Sequence, residues 1–147
     1  GAALDDETKE RLKALNLRLS TLTTTFEKNL LADSNELALI IDDAAELDGL
    51  TSGELSAAAQ AATDRGHEGS YALTLTLYTG HPYLSTLTNR ETRKRLMDAS
   101  RTKSSRGGAN DNREVLLEIV RLRAERAALL ADAEPFDPAA TPARSER

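Results

Sequence analysis

The longest periodic pattern of apolar residues lies near the start of the chain, in the segment RLKALNLRLSTLTTTFEKNLL. Its apolar residues recur at steps of three and four, which places them on one face of an α-helix that must be buried. A polar run from Ala32 to Asn35 ends the pattern, so we predict one helix of about 25 residues, or roughly 38 Å. A coiled-coil seam is the alternative, but fewer than three heptads support it. The predicted stripe consists of Leu12, Leu15, Leu19, Leu22, Phe26 and Leu30.

Two short segments have the character of β-strands. Leu37–Ile41 is apolar and places alternate side chains on one face, and Tyr71–Leu77 alternates strictly between apolar and smaller or polar residues. Two strands alone are marginally stable in water. We therefore expect them to pair with each other and to lie against the helices.

Local signals mark the helix boundaries in the middle of the chain. Thr51 and Glu54 have the spacing of a capping box, and the alanine-rich helix that they begin should end at Gly66. Thr88 and Glu91 have the same spacing and predict a second capping box. Earlier, Asp42 and Asp43 are expected to cap one helical turn that ends at Gly49, and later Pro82 is expected to begin a short helix.

The last predicted helix begins after Asp111, which with Glu114 should cap it. Beyond residue 130 the sequence carries three prolines, so residues 131–147 are expected to be extended or disordered. The predicted buried face of this helix consists of Val115, Leu116, Ile119, Val120, Ala127 and Leu130.

Together these patterns predict a mainly α fold of about five helices with a small two-stranded β element formed by Leu37–Ile41 and Tyr71–Leu77. The chain has 147 residues, which suits one domain over residues 1–130 and a tail over 131–147. It has no cysteine, which excludes disulfides and thiolate metal sites. No apolar run approaches the roughly 18 residues of a membrane span, so we expect no membrane association and a cytoplasmic location.

Charge is unevenly distributed along the chain. The net charge is −5, which argues against general nucleic-acid binding, yet residues 90–106 carry an excess of five positive charges. This segment could bind an acidic peptide, a carboxylate or RNA, or it could be a solvated surface that pairs with neighbouring acidic helices. No aromatic residue lies among the cations, so base stacking is poorly supported. The cations are Arg90, Arg93, Lys94, Arg95, Arg101, Lys103 and Arg106, against Glu91 and Asp98.

The residues offer no convincing catalytic or metal site. His67 and Glu68 match the start of the zinc motif H-E-x-x-H, but Tyr71 stands at the second histidine position. The only other histidine, His81, is expected in a turn or helix cap, and a zinc site needs three protein ligands. The glycine-rich segment 105–108 could in principle cradle an anion, but no strand precedes it and no G-K-[ST] follows it, so we expect a flexible loop. We therefore predict no catalytic, cofactor-binding or metal-binding residue in this chain.

The order of eight segments resembles one protein family, the zinc metallopeptidases that include thimet oligopeptidase, oligopeptidase A and the bacterial peptidyl-dipeptidases (dipeptidyl carboxypeptidases). The bacterial peptidyl-dipeptidase branch is the most similar. The matching segments are L-N-x-x-L-S-x-L-x-x-x-F-x-x-N-L-L (residues 15–31), E-L-x-G-L (46–50), Y-A-L-T-L-T-L (71–77), Pro82 with Leu84, R-E-T-R (90–93), A-S-R (99–101), N-D-N (110–112) and I-V-x-L-R-A-E-R-A-x-L-L (119–130).

The resemblance implies a role without chemistry of its own. In this family the zinc-binding helix and the distal glutamate ligand lie downstream of the matched region, which belongs to a helical lobe walling a substrate channel. The resemblance thus implies a fragment or remnant of a zinc oligopeptidase that acts as a scaffold, with zinc only in a full-length parent. Its partners would be the missing catalytic lobe and short peptides. The alternative is a stand-alone helical module that binds another protein or forms a homo-oligomer.

Overall fold

The computed structural model describes residues 4–75 and 80–133 and confirms the mainly α fold. The helices are α1 (Asp6–Glu36), α2 (Ser52–Thr63), α3 (Gly80–Thr86), α4 (Arg90–Thr102) and α5 (Arg113–Ala133), with a 3₁₀ turn at Ala44–Leu47. The strands are β1 (Leu39–Ile41) and β2 (Tyr71–Leu73).

The chain divides into two compact units. The first, here called the two-helix unit, comprises residues 1–26 and 114–147, of which residues 4–26 and 114–133 are described. The second, the central unit, comprises residues 27–113 and is described except for 76–79. Helix α1 supplies its first part to one unit and its last part to the other.

Helix α1 confirms the predicted stripe, because all six of its residues are buried or half-buried. The helix begins after Asp5, whose carboxylate accepts a hydrogen bond from the Thr8 amide at 2.8 Å. The predicted end of the helix at residues 32–35 is wrong, since α1 continues to Glu36. Two polar residues fit inside it for separate reasons. Ser34 donates its hydroxyl to the Leu30 carbonyl at 2.6 Å, and Asp33 is buried against a distant loop, described below.

The two strands pair with each other, as predicted, and the pairing is antiparallel, with Leu39 opposite Leu73 and Ile41 opposite Tyr71. Both strands are shorter than predicted. Leu37 precedes β1, residues 74–75 are not in a strand, and residues 76–77 lie outside the described residues. Around this pair lies the core of the central unit, which consists of Leu39, Ile41, Leu47, Ala58, Leu73, Leu75, Tyr83, Leu87 and Leu96.

The first capping box is present as predicted. The Thr51 hydroxyl accepts from the Glu54 amide at 3.3 Å, and the Glu54 carboxylate accepts from the Thr51 amide at 2.8 Å. These bonds to Thr51 also hold the pKa of Glu54 below its usual value. Asp43 caps the 3₁₀ turn by accepting from the Ala45 amide at 2.9 Å.

The second predicted capping box is wrong. The N-cap of α4 is Asn89, whose side chain accepts from the amides of Glu91 and Thr92 at 3.0 and 3.1 Å. Thr88 turns its hydroxyl to the Asp48 carboxylate, at 2.6 Å. The Asp48 carboxylate, forty residues away in the sequence, therefore binds the Thr88 hydroxyl that the local pattern assigned to the cap.

Gly49 ends the 3₁₀ turn at a close approach between two segments. Its φ is +98°, and a Cβ atom at this position would lie 2.0 Å from the carbonyl oxygen of Thr86. The adjacent contact is a hydrogen bond from the Thr88 amide to the Asp48 carbonyl at 2.9 Å. Only glycine combines this backbone conformation with this proximity.

The two-helix unit is an antiparallel pair formed by α1 and α5. Arg11 near the start of α1 donates to Glu125 late in α5 at 2.7 Å, and Arg18 donates to Glu118 at 2.6 Å. The charge-assisted bond with Arg18 also holds the pKa of Glu118 below its usual value. The small core between the helices consists of Leu19, Leu22 and Ile119, with Phe26, Val115 and Leu122 partly buried against it.

The predicted buried face of α5 is only partly right. Ile119 is buried and Val115 is half-buried, but the other four residues of that prediction are not buried. Helix α5 also continues to Ala133, three residues into the predicted tail, and residues 134–147 lie outside the described part of the chain. The four residues that are not buried are Leu116, Val120, Ala127 and Leu130.

Candidate functional site

The residues that partly match a zinc motif do not form a zinc site. His67 and Glu68 are exposed in the turn between α2 and β2, while Tyr71 begins β2. His81 is the second residue of α3. Within residues 4–75 and 80–133, no group of three or more histidine, aspartate or glutamate side chains is arranged to hold a metal ion. The described residues therefore do not fit the zinc site of the family, and the prediction that this chain has no metal ligand stays a prediction.

The glycine-rich loop between α4 and α5, residues 103–112, is fixed to the last turns of α1. The carboxylate of Asp33, only 3% exposed, accepts the Ser104 amide and pairs with the Arg106 guanidinium. Arg106 also lies 3.5 Å from Glu36. Ser104 has a φ of +55°, an uncommon backbone conformation for a residue other than glycine. The loop that could in principle bind an external anion thus binds the carboxylate of Asp33 in the same chain.

Asparagine side chains extend the same contact. Asn29 donates to the Asn112 side chain at 3.0 Å, and Asn110 donates to Glu36 at 2.9 Å. The Asn112 amide donates to the Ser104 carbonyl at 2.8 Å. We call this set, together with Asp33 and Arg106, the loop anchor. The loop anchor was not predicted from the sequence. Asp33 could have indicated it, because the interior of a helix disfavours aspartate unless its side chain has a partner.

The exit from the loop into α5 is also held by charge. The Arg113 guanidinium donates to the Asp111 carboxylate, with a shortest distance of 2.6 Å, and the Arg113 backbone amide donates to the same carboxylate at 2.9 Å. These bonds, with a further one from the Gly107 amide, hold the pKa of Asp111 well below its usual range. The carboxylate therefore stays ionised and binds the backbone amide of Arg113, the first residue of α5. Asp111 lies two residues before the helix, so the capping by Asp111 with Glu114 that the sequence suggested stays a prediction.

The basic segment 90–106 is largely committed to contacts inside the central unit. Arg95 pairs with Glu46 at 3.2 Å, and Lys94 pairs with Asp98 at 2.7 Å on its own helix. Arg93 donates to the carbonyls of Leu87 and Thr88, at 2.6 and 2.7 Å, at the end of α3. These contacts agree with the interpretation of the segment as a surface that pairs with its neighbours.

Two cations of the segment differ from the rest. Arg90 and Arg101 are exposed, and neither forms an ion pair with any other described residue. Arg90 lines a shallow groove of about 320 Å³, here called the α3–α4 groove, whose lining residues are Leu84, Arg90, Arg93, Lys94 and Met97. Arg101 is not among them.

A second, wider cleft of about 470 Å³ lies where the end of α1 meets β1 and the end of α2. Arg65 and His67 line it, but so do Glu36 and Asp64. Arg65 is already bound to the Ala61 carbonyl at 2.8 Å. The cleft therefore has no preference for a ligand of either charge.

The most extensive apolar surface of the two-helix unit is on α5. Leu116, Leu117 and Val120, here called the outer α5 face, are 49%, 47% and 57% exposed. Val120 lies four positions after Leu116 and three after Leu117, so both contact it on the helix surface and form one patch, separate from the stripe that packs on α1. Helix α5 thus carries apolar residues on two faces, which is typical of a helix packed between two neighbours. Within the described ranges, no helix is long and apolar enough to span a membrane.

Comparison with known proteins finds several relatives of this chain. The chain is 41% identical over 130 residues to a dipeptidyl carboxypeptidase of Salmonella typhimurium and 35% identical over 130 residues to that of Escherichia coli. It is 35% identical over 134 residues to an oligopeptidase A of Haemophilus influenzae. Each match covers 88% of this chain.

These matches cover only part of each relative. The chain spans about one fifth of their length, 19% of the two dipeptidyl carboxypeptidases and 20% of the oligopeptidase A. No family model matches the chain. The resemblance carried by the eight ordered segments is confirmed: over most of its length, this chain is related to one region of the dipeptidyl carboxypeptidase and oligopeptidase A family.

Proposed function

We propose that this chain is a non-catalytic region of a zinc-dependent oligopeptidase or peptidyl-dipeptidase, where it forms part of the wall of the channel that admits short peptides. The names of the relatives support the enzyme class, since they are dipeptidyl carboxypeptidases and oligopeptidases A matched over 88% of the chain. Zinc and the catalytic residues would belong to the remainder of a family-length protein, and a cytoplasmic location is part of the same proposal.

The observation that carries this proposal is the outer α5 face. The core between α1 and α5 already uses Ile119, with Val115 and Leu122 at its edge. Leu116, Leu117 and Val120 are not part of this core, and each is about half exposed. A neighbour that covered them would bury this apolar surface as α1 buries Ile119. The remainder of a family-length protein is the neighbour that the comparisons suggest.

The stabilisation available from such a neighbour is substantial. Full burial of a leucine or valine side chain contributes about 1.5–3 kcal/mol. Covering the exposed halves of Leu116, Leu117 and Val120 would thus contribute about 3 kcal/mol. Helices gain most of their stability from such packing rather than from intrinsic propensity, so this face would hold the region against the rest of the enzyme.

A chimera tests the proposal. The matched segment of the Salmonella typhimurium dipeptidyl carboxypeptidase is replaced by the matched segment of this chain, and cleavage of a short peptide is followed with and without a chelator. We expect cleavage that the chelator abolishes. A chimera that folds, as judged by circular dichroism and a sharp unfolding transition, but does not cleave the peptide would refute the assignment.

Paired variants show whether the outer α5 face is responsible. Val120→Glu places a charge on this face and should inactivate or unfold the chimera, because an unpaired buried charge is costly. Ser56→Glu adds the same side chain at an exposed position of α2 and should leave cleavage intact. Equal effects of the two substitutions would contradict the role of the face.

The second candidate function is a stand-alone helical module that self-associates or binds another protein, and the same exposed face favours it. In that case the isolated chain should form a dimer or larger species that Val120→Glu converts to a monomer. Light scattering on a sizing column across a range of concentrations distinguishes the two. A monomer at all concentrations excludes self-association and leaves the channel-wall role ahead.

A further inference from the structure

The α3–α4 groove combines an apolar base with a cationic rim. Leu84 is half-buried between the two helices, and Met97 is 42% exposed, so both present apolar surface to solvent. Arg90, Arg93 and Lys94 surround them. The thioether side chain of Met97 is flexible and polarizable, and it adapts to ligands of different shape.

The cations of the rim are not equivalent. Arg93 uses one guanidinium nitrogen to bind the two carbonyls at the end of α3, which fixes its position. Lys94 is shared with Asp98 at 2.7 Å, and this bond raises the pKa of Lys94, so the amine stays charged. Arg90 has no ion pair with any described residue, and a guanidinium can bind a carboxylate through two parallel hydrogen bonds.

We propose that this groove binds an acidic peptide segment in which carboxylates flank one aliphatic side chain. The carboxylates would pair with Arg90 and Lys94, and the aliphatic side chain would cover Met97 and Leu84. Charge complementarity supports this partner, because three cations and no carboxylate are among the described residues that line the groove. The proposal goes beyond the channel-wall role and does not depend on it.

Other anionic ligands fit the groove less well. An inorganic phosphate would leave the apolar base uncovered. A single-stranded nucleic acid relies on aromatic side chains for base stacking, and no aromatic residue is among the described residues that line the groove. The volume of about 320 Å³ is at the lower end for ligand sites, so a short segment with modest affinity is expected.

Fluorescence anisotropy with the full chain and a labelled short peptide, in which glutamates flank one leucine, tests the proposal. We expect saturable binding that weakens as salt is raised, since the pairs are exposed and screened. The same peptide with glutamine for glutamate, or with serine for leucine, should bind more weakly. No binding at any accessible concentration, equal binding of the glutamine peptide, or tighter binding of a polyuridine oligonucleotide would overturn the proposal.

Variants locate the binding. Arg90→Ala should weaken binding roughly threefold to fivefold, the range of an exposed ion pair. Arg101→Ala removes the same charge from an exposed position of the same helix outside the groove and should change the affinity much less. Met97→Ala should weaken binding about fivefold, and Met97→Leu should restore it. Equal losses for Arg90→Ala and Arg101→Ala would mean non-specific attraction and would refute the site.

Discussion

The loop anchor gives the sharpest prediction for stability. We consider Asp33→Ala, which removes a carboxylate that is 3% exposed and accepts both the Ser104 amide and the Arg106 guanidinium. The substitution leaves the methyl group of alanine inside α1, a position that alanine favours more than aspartate. The expected loss therefore comes from the partners that are left behind.

The magnitude follows from those partners. A buried donor left without an acceptor costs about 1–3 kcal/mol, which applies in full to the Ser104 amide. Arg106 is 40% exposed and retains Glu36 at 3.5 Å, so its loss is closer to the value of a surface pair, about 1 kcal/mol or less. The gain in helix propensity offsets about 0.5 kcal/mol. We expect Asp33→Ala to lower the free energy of unfolding by about 2 kcal/mol.

Urea unfolding followed by circular dichroism measures this loss. With a slope of about 2 kcal/mol per molar urea, the midpoint should fall by about 1 M. Asp33→Asn keeps an acceptor for the amide and should lose about half as much, while Arg106→Ala should cost more than the loss of a surface pair, because it leaves the buried Asp33 carboxylate without its cation. If Asp33→Asn, which keeps an acceptor, shifts the midpoint as much as Asp33→Ala does, the contact with the Ser104 amide contributes nothing and the reasoning is refuted.

Three further outcomes are expected from the same unfolding assay. Gly49→Ala should cost more than about 2 kcal/mol, because it adds a strained backbone conformation to a Cβ atom 2.0 Å from the Thr86 carbonyl oxygen; wild-type stability would contradict the close approach. Asn89→Ala should cost about 1 kcal/mol through loss of the α4 cap. Unchanged stability would contradict Asn89 as the cap and favour Thr88, the residue that the sequence pattern assigned to it. Because hydrogen bonds from Arg113 hold the pKa of Asp111 below its usual 3.8, the ionised form is favoured in the fold. The stability that the ionised Asp111 contributes is therefore present above about pH 4 and is lost as the pH falls toward the lowered pKa. Asp111→Asn should flatten the decline in stability between about pH 4 and pH 2. An unchanged decline would show that Asp111 is not its source.

Patterns within one element were predictable from the sequence. The stripe along α1 and the Thr51–Glu54 capping box depend on residues three or four positions apart, and both are present. The pairing of the two strands was predictable because two unpaired strands would be unstable, whereas their antiparallel direction comes from the structure. The family resemblance depended on the order of short segments rather than on a single motif, and the comparisons confirm it.

Features that depend on distant residues were not predictable. The α4 cap is Asn89 because Thr88 is bound by Asp48, forty residues earlier in the chain. Helix α1 extends past its predicted end because Asp33 has partners more than seventy residues away. In each case a local preference is overridden by a tertiary contact that a single sequence does not display.

The face of α5 shows a different limit. Its apolar residues are distributed around more than one side of the helix, so the pattern indicates burial but not the neighbour that provides it. Ile119 packs on α1, whereas Val120 is 57% exposed. The sequence thus predicted one broad buried face on α5, but only Ile119 and Val115 of that face are buried or half-buried in this structure.

The measurement that tests the central claim most directly is the effect of Val120→Glu in two settings, the isolated chain and the chimera with the Salmonella typhimurium dipeptidyl carboxypeptidase. The isolated chain should keep its urea midpoint, since the side chain is exposed there, while the chimera should lose its chelator-sensitive cleavage. A chimera that cleaves peptides equally well with valine or glutamate at this position would contradict the channel-wall role, because the outer α5 face would then have no neighbour in the enzyme.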